Sequence, residues 1–383
     1  MTFVGFLIKN LLRRKARTLL TILGVAVAMA TLVSLRGIAY GFESSFLHNF
    51  EHRGADLIVS ASGVPDQLRS DLDEKLGPRI AEIDGVSRVM PGLLELVDIQ
   101  RGDSTISAMI HGWNVGGPQF DDLTLVAGRH LQPGERRKVL IGKTLAENLK
   151  KGVGDTVELQ RHTFEIVGVF QSYSVYETGG VVLPLRELQE LMLRRGSVTG
   201  FSVRLDSTPD KQQVMDAVRA RIESLTDDEG NQYRISAQPT KEYVSNAMPV
   251  KLARGMAWVT SLLAVLIGGI SMLNTMIMSV MERTKEIGVL RAIGWKMRRV
   301  VCMVMGEALL LSLAATALGS AAAWAVMHWL ARLPQTSGFM TGELAPVVLL
   351  EGLAMTLVVA LCGGLYPAYR AARWMPSEAL RHE

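Results

Sequence analysis

Cysteine is almost missing from this chain: Cys302 and Cys362 are the two among 383 residues. Both fall inside apolar blocks, and neither lies in the long polar stretch between the first two blocks. A disulfide framework is therefore excluded, even if that stretch meets an oxidising compartment. Small apolar packing residues suit both positions better. Aromatic residues are few, at 6%, and the formal net charge is only +4. The basic residues gather beside the apolar blocks. That pattern reads as membrane topology and not as a nucleic-acid footprint.

Catalytic signatures are equally scarce. There is no HExxH motif, no acyl-transfer arrangement and no defensible pair of carboxylates. The nearest approach to a phosphate loop is Ile141-Gly142-Lys143-Thr144. A P-loop needs a glycine five positions before Gly142 so that the backbone curls around phosphate, and Arg137 stands there. The chain is expected to hold no ATPase, cofactor or metal of its own. His48 and His52 are four apart on a helical stretch, the spacing of a shared face. A two-ligand metal or haem site competes there with a plain solvated face.

What the sequence has is long apolar runs. Apolar residues make up 48% of it, concentrated in four blocks long enough to span a bilayer. They run over 19–40, 256–281, 300–331 and 344–369. The second is uncharged throughout and corresponds to about 39 Å of helix. Before the first block, residues 1–18 place apolar residues at helical spacing beside Arg13, Arg14, Lys15 and Arg17. This predicts an amphipathic helix on the cytoplasmic membrane surface; a signal peptide is the competing reading. Basic residues also fill 282–299 and the tail 370–383, so these belong inside with the N-terminus. The loop 332–343 and the region 55–238 then lie outside.

That region reads as a folded domain. Residues 41–54 continue the first span as a stalk, with Phe42, Phe46 and Phe50 on one face. A strand at 55–60, a helix over 66–83 and one or two strands over 86–99 follow. Pro78, late in that helix, suggests a break or a second short helix. The same order returns at 200–205, 209–225 and 233–237. Two β-α-β lobes (about 55–100 and 198–238) thus bracket a turn-rich β insert (about 101–197). Residues 239–255 form a second stalk. The predicted fold is an α-helical membrane protein with four transmembrane helices and an α+β extracytoplasmic domain between helices 1 and 2.

Inside the spans, Glu307 and Glu351 are the candidate polar residues, read either as a cargo or proton pathway or as interhelical hydrogen bonding. Gly268, Gly269, Gly319, Gly363 and Gly364, with Asn274, permit close helix approach, in a dimer interface or within one bundle.

The most informative stretch is 268–299. An uncharged helix ends at Met281 and turns at once into Glu282-Arg283-Thr284-Lys285-Glu286-Ile287-Gly288, then Arg291-Ala292-Ile293-Gly294. This string resembles the signature of ABC-transporter permeases of the MacB/LolC/FtsX-like (type VII, mechanotransmission) superfamily. The tail from Tyr366-Pro367-Ala368 to Glu378-Ala379-Leu380-Arg381 resembles that superfamily's ending. Leu11 to Gly24 matches too, as do Gly142 to Asp155 and the strand from Phe164 to Val169.

The resemblance implies a non-catalytic subunit in the bacterial inner membrane, with a MacB-like periplasmic core domain. It also implies a second permease copy, as homodimer or heterodimer. ATP and Mg would be bound by an ABC ATP-binding subunit, expected as a separate chain. Glu282, Arg283, Lys285, Glu286, Gly288, Arg291 and Gly294 would form the ATPase-coupling element. The output would be export or extraction of a lipoprotein, lipid, peptide, haem or amphiphilic drug, with a periplasmic adaptor or outer-membrane channel as a further partner. The alternative is an FtsX-like scaffold that activates a cell-wall hydrolase or sensor without transport.

Overall fold

The computed structural model describes residues 5, 15–64, 67–101, 104–172, 175–207, 209–227, 229–331 and 345–373. The surface helix expected over 1–18, the loop 332–343 and the end of the tail lie largely outside these. The chain divides into two compact units, one built mainly from Phe42–Leu252 and one from the segments on either side.

The first helix, α1 (Lys15–His52), is unbroken. The extramembrane unit then runs through β1 (Leu57–Ala61), a 3₁₀ turn (Gln67–Arg69), β2 (Leu72–Asp73), α2 (Leu76–Ala81), β3 (Val86–Arg101) and β4 (Ser104–Trp113). It continues with α3 (Pro118–Asp121), β5 (Thr124–Gly128), β6 (Lys138–Gly142), α4 (Lys143–Leu149), β7 (Thr156–Leu159) and β8 (His162–Gln171). Next come α5 (Val175–Thr178), β9 (Val181–Pro184), α6 (Leu185–Leu191), β10 (Ser197–Val198) and β11 (Gly200–Leu205). The unit closes with α7 (Lys211–Glu223), β12 (Ile235–Pro239) and α8 (Thr240–Asn246).

Ten strands make one sheet in the order β12-β1-β11-β3-β4-β9-β6-β8-β5, with β7 on β8. Strand β3 joins its two parts. Its first half pairs with β11 (Pro91 opposite Phe201) and its second with β4 (Val97 opposite Ala108). The lobes and the insert are therefore one continuous sheet. Strand β6 reads Lys-Val-Leu-Ile-Gly, and Val139, Leu140 and Ile141 are all fully buried. Such a continuous apolar run is what a strand covered on both faces requires. Leu57, Leu93, Ile110, Ile141, Ile166 and Phe201 share one core.

The helix expected over 66–83 is not one helix. The Ala61 N–H donates to the Ser70 hydroxyl (2.9 Å), and the Lys75 N–H donates to the Asp73 carboxylate (2.9 Å). Leu72 and Asp73 pair with β10. These local polar bonds compete with helix formation, so only the last turn and a half, α2, is α-helical. Pro78 sits in its first turn, where the missing N–H is not needed. Gly142, in the phosphate-loop look-alike, is explained by crowding: a Cβ there would lie 2.2 Å from the Thr178 carbonyl oxygen.

The helical unit contains α9 (Met248–Glu282), α10 (Thr284–Ala292), α11 (Met297–Ala331) and α12 (Pro346–Arg373). Among the described residues, α1, α9, α11 and α12 are the four helices long and apolar enough to cross a membrane. They share a core of Met29, Met272, Met303, Val304, Ala315 and Val359.

Candidate functional site

The candidate coupling element begins where α9 stops. Arg283 breaks the helix with φ −109° and ψ 17°, and α10 starts one residue later. Its side chain turns inward: Nη1 donates to Glu307 Oε1 (2.8 Å) and Nε to Glu286 Oε2 (3.1 Å). Glu307 is buried, as is Ile287 on the inner face of α10. Gly288 is buried beside Ile287. Glu282 receives the Arg17 guanidinium through both carboxylate oxygens, one contact measuring 2.6 Å.

The far end of α10 is closed by Gly294 at φ +101°. The Trp295 N–H reaches the Leu290 carbonyl (3.0 Å) and the Gly294 N–H reaches that of Arg291 (3.1 Å). This is a Schellman stop, and its left-handed position favours glycine. Arg291 reinforces it, donating from Nη1 to the Trp295 carbonyl (3.2 Å). With the inner face and both ends fixed, the outer face shows Lys285, Glu286, Ala292, Val289 and Ile293 to solvent. Ile293 is 74% exposed and Val289 43%. An apolar pair at i, i+4 flanked by charge suits a protein contact. The two apolar residues were missed in the sequence, where the charges drew attention; their spacing was the available signal.

The remaining candidates separate by position. A Cβ on Gly319 would come 2.7 Å from the Ala26 carbonyl oxygen, and one on Gly363 2.6 Å from Met272 Cγ. Gly364 abuts Ala308 (2.9 Å) and Gly268 abuts Ala28 (3.5 Å). These four serve packing inside the bundle. Gly269 has nothing among the described residues within 4 Å of such a Cβ, and Asn274 is exposed on the outward face that carries Leu263, Ile267, Ile270 and Met278. Glu351 accepts from Arg36 Nε (2.7 Å), whose guanidinium lies 4.8 Å from the centre of the Trp258 ring.

A second polar cluster lies in the extramembrane unit. Arg53 makes a two-pronged pair with Glu177 (2.7 and 2.8 Å) and covers the Trp113 ring at 4.6 Å. The Ser172 hydroxyl donates to Glu177 (2.5 Å). Burial pushes the Glu177 carboxyl up, but Arg53 and His111 outweigh it and hold the group below its ordinary value. His111 is buried against Trp113, ring centres 5.2 Å apart. Burial, aided by Arg53 and opposed by Glu177, lowers its pKa to about 4. No sequence signal joins residues this far apart in the chain. Of the pair read as a metal face, His48 Nδ1 lies 2.9 Å from the Ser44 carbonyl oxygen and His52 lies 3.7 Å from Asp122.

Four spanning helices, a large sheet domain between the first and second, and a short capped helix after the second define a permease of the ABC-transporter class. The chain belongs to the MacB-like, FtsX-like permease family: residues 18–221 match the MacB-like periplasmic core domain and 258–375 the FtsX-like permease C-terminal model. It is similar to the macrolide export ATP-binding/permease protein MacB of Bdellovibrio bacteriovorus, 22% identical over 98% of this chain and 61% of that protein. The MacB of Brucella melitensis is 26% identical over 96% of this chain and 58% of its own length. The chain thus spans about six tenths of these relatives. An uncharacterised ABC transporter permease of Methanocaldococcus jannaschii is 22% identical over 99% of this chain and 98% of its own. Among solved structures, the periplasmic region of MacB from Actinobacillus actinomycetemcomitans aligns at TM-score 0.41 and 14% identity, covering 52% of this chain and 95% of that one.

Proposed function

We propose that the chain is the membrane subunit through which an ABC ATPase, a separate chain, drives movement of the extramembrane unit to export or extract a substrate. One observation carries this reading. The capped helix α10, fixed on its inner face through Ile287 and the Arg283–Glu307 pair, offers Val289 and Ile293 to solvent between charges. A partner's groove that covers these two apolar side chains receives a rigid element whose other face belongs to the bundle. The element is expected in the cytoplasm of a bacterial inner membrane, with both termini on that side. The ATPase would hold ATP and Mg. A second copy of this chain is expected against the α9 face bearing Gly269 and Asn274, because a polar side chain facing lipid is costly.

The test is Ile293→Asp. Ile293 is largely exposed, so the chain inserts and unfolds as the wild type does. Covering an isoleucine is worth about 2 kcal/mol, so association with the co-purifying ATPase weakens about 30-fold. Undiminished association and ATPase stimulation would overturn the assignment.

A further inference from the structure

A cavity of about 760 Å³ opens in the extramembrane unit, within the range of small-molecule sites. Its walls differ at its two ends. One end is apolar: Phe46 and Phe50 meet edge to face at 5.6 Å, and Phe50 meets Tyr243 at 6.0 Å. Met90, Met109 and Met248 add flexible, polarisable side chains to the lining, which adapt to varied apolar shapes. The other end is polar and carries His111, Arg53 and Glu177.

That polar end is incompletely satisfied. His111 is 6% exposed, lines the cavity, and its Nε2 has no hydrogen-bond partner among the described residues. Leaving such a nitrogen buried and unbonded is unfavourable. Arg53 Nε and Asp122 Oδ2 stand 3.6 Å apart, and neither makes a hydrogen bond among the described residues. The charges are already spoken for. Arg53 is matched by Glu177, and Asp122 adds a further negative charge beside it. At that buried end an anionic head group therefore meets no free positive charge; the other charge of the lining, Lys251, belongs to an exposed residue. The neutral imidazole bonds a hydroxyl, an amide or an ester, since one ring nitrogen donates and the other accepts.

We propose that this cavity is a binding site for an uncharged amphiphile, its apolar body against Phe46, Phe50 and the methionines and its hydroxyl or amide head against His111. As the cargo site of a transporter it rests on the permease reading; as a ligand site it does not. The lining comes from both ends of the unit's chain, Phe46 to Arg53 on one side and Tyr243 to Leu252 on the other. A ligand thus touches both connections to the spanning helices.

The probe is dodecanamide carrying an alkyl diazirine, photolysed with the full chain in lipid nanodiscs, without ATPase or nucleotide, and mapped by peptide mass spectrometry. Saturable labelling is expected in the β3–β4 segment holding Met90 and Met109, and it is displaced by unlabelled dodecanamide. The matching dodecanoate labels this segment at least tenfold less. His111→Phe and Met109→Trp each lower amide labelling at least fivefold while the unfolding temperature holds. Labelling confined to residues 15–41, 253–331 and 345–373, outside the cavity lining, overturns the site, as does equal labelling by the carboxylate. These two readouts use the wild-type chain and stand even if a variant fails to fold. Because no ATPase is present, failure here leaves the α10 assignment untouched, and loss of ATPase binding by Ile293→Asp leaves this site untouched.

Discussion

The Arg283–Glu307 pair offers the sharpest quantitative test of how α10 is held. The two side chains are 15% and 4% exposed and meet at 2.8 Å. Removing one member of a buried pair strands the other and costs about 3–5 kcal/mol. Glu286 also reaches Arg283, at 3.1 Å, but its side chain is 48% exposed. It softens the loss without replacing Glu307, so Glu307→Ala is expected at the lower end, about 3 kcal/mol. Replacing both residues by methionine removes the charge together with its partner and is expected to cost about 1 kcal/mol or less. The single and double changes then disagree by at least about 2 kcal/mol, the signature of direct coupling. Reversible unfolding in mixed micelles, followed by tryptophan fluorescence, measures the wild type, Glu307→Ala, both single methionine variants and the double methionine variant, the methionine set forming the cycle. A Glu307→Ala cost below about 1 kcal/mol, or single costs that add up to the double, would refute the claim that this pair anchors the element.

Two further outcomes follow from the packing and the charges. Gly319→Ala drives a methyl against the Ala26 backbone and is expected to destabilise by about 1–3 kcal/mol, whereas Gly269→Ala meets open space and gains up to about 1 kcal/mol from helix propensity; the same micelle assay reads both signs. The His111 pKa falls from 6.5 unfolded to about 4 folded, so the unfolded chain takes up the proton first. The domain's stability is then full above about pH 6.5 and falls by about 3 kcal/mol as the pH drops towards 4. Glu177, held below its ordinary 4.5, adds its own loss only beneath that value. Thermal melting between pH 7 and 5 should fall in the wild type and flatten in His111→Phe.

The architecture was legible where pattern and composition coincide. Uncharged apolar runs exposed the spanning helices, and basic residues marked the short charged element after Met281. The strands read at 55–60, 200–205 and 233–237 coincide closely with β1, β11 and β12. What the sequence hid is long-range. The four-residue leucine spacing over 66–83 resembled a helix because nothing local reveals that Ser70 is taken by Ala61 and Leu72 by β10. The run 86–99 looked like one or two strands, since the change of partner along β3 depends on residues more than a hundred positions away. In the short element after Met281, the charges mark the helix α10 but not its faces. Arg283 and Gly288 turn inward, while Val289 and Ile293 face out. The His111–Arg53–Glu177 cluster needs the finished sheet before its members meet.

Strand β1 has a consequence for how the protein is made. It lies between β11 and β12, so its first residue, Leu57, pairs with Val203 on one side and Pro239 on the other. Both neighbours are synthesised more than a hundred residues after β1. Until Leu205 has followed, β1 waits with both edges open, and its β12 edge stays open until Pro239; open edges are where chains pair wrongly. The loop closures that complete the sheet are long and correspondingly slow. Biogenesis of this chain therefore passes through an exposed, half-built sheet tethered to an already inserted helix, the stage at which a chaperone or a protease would find it.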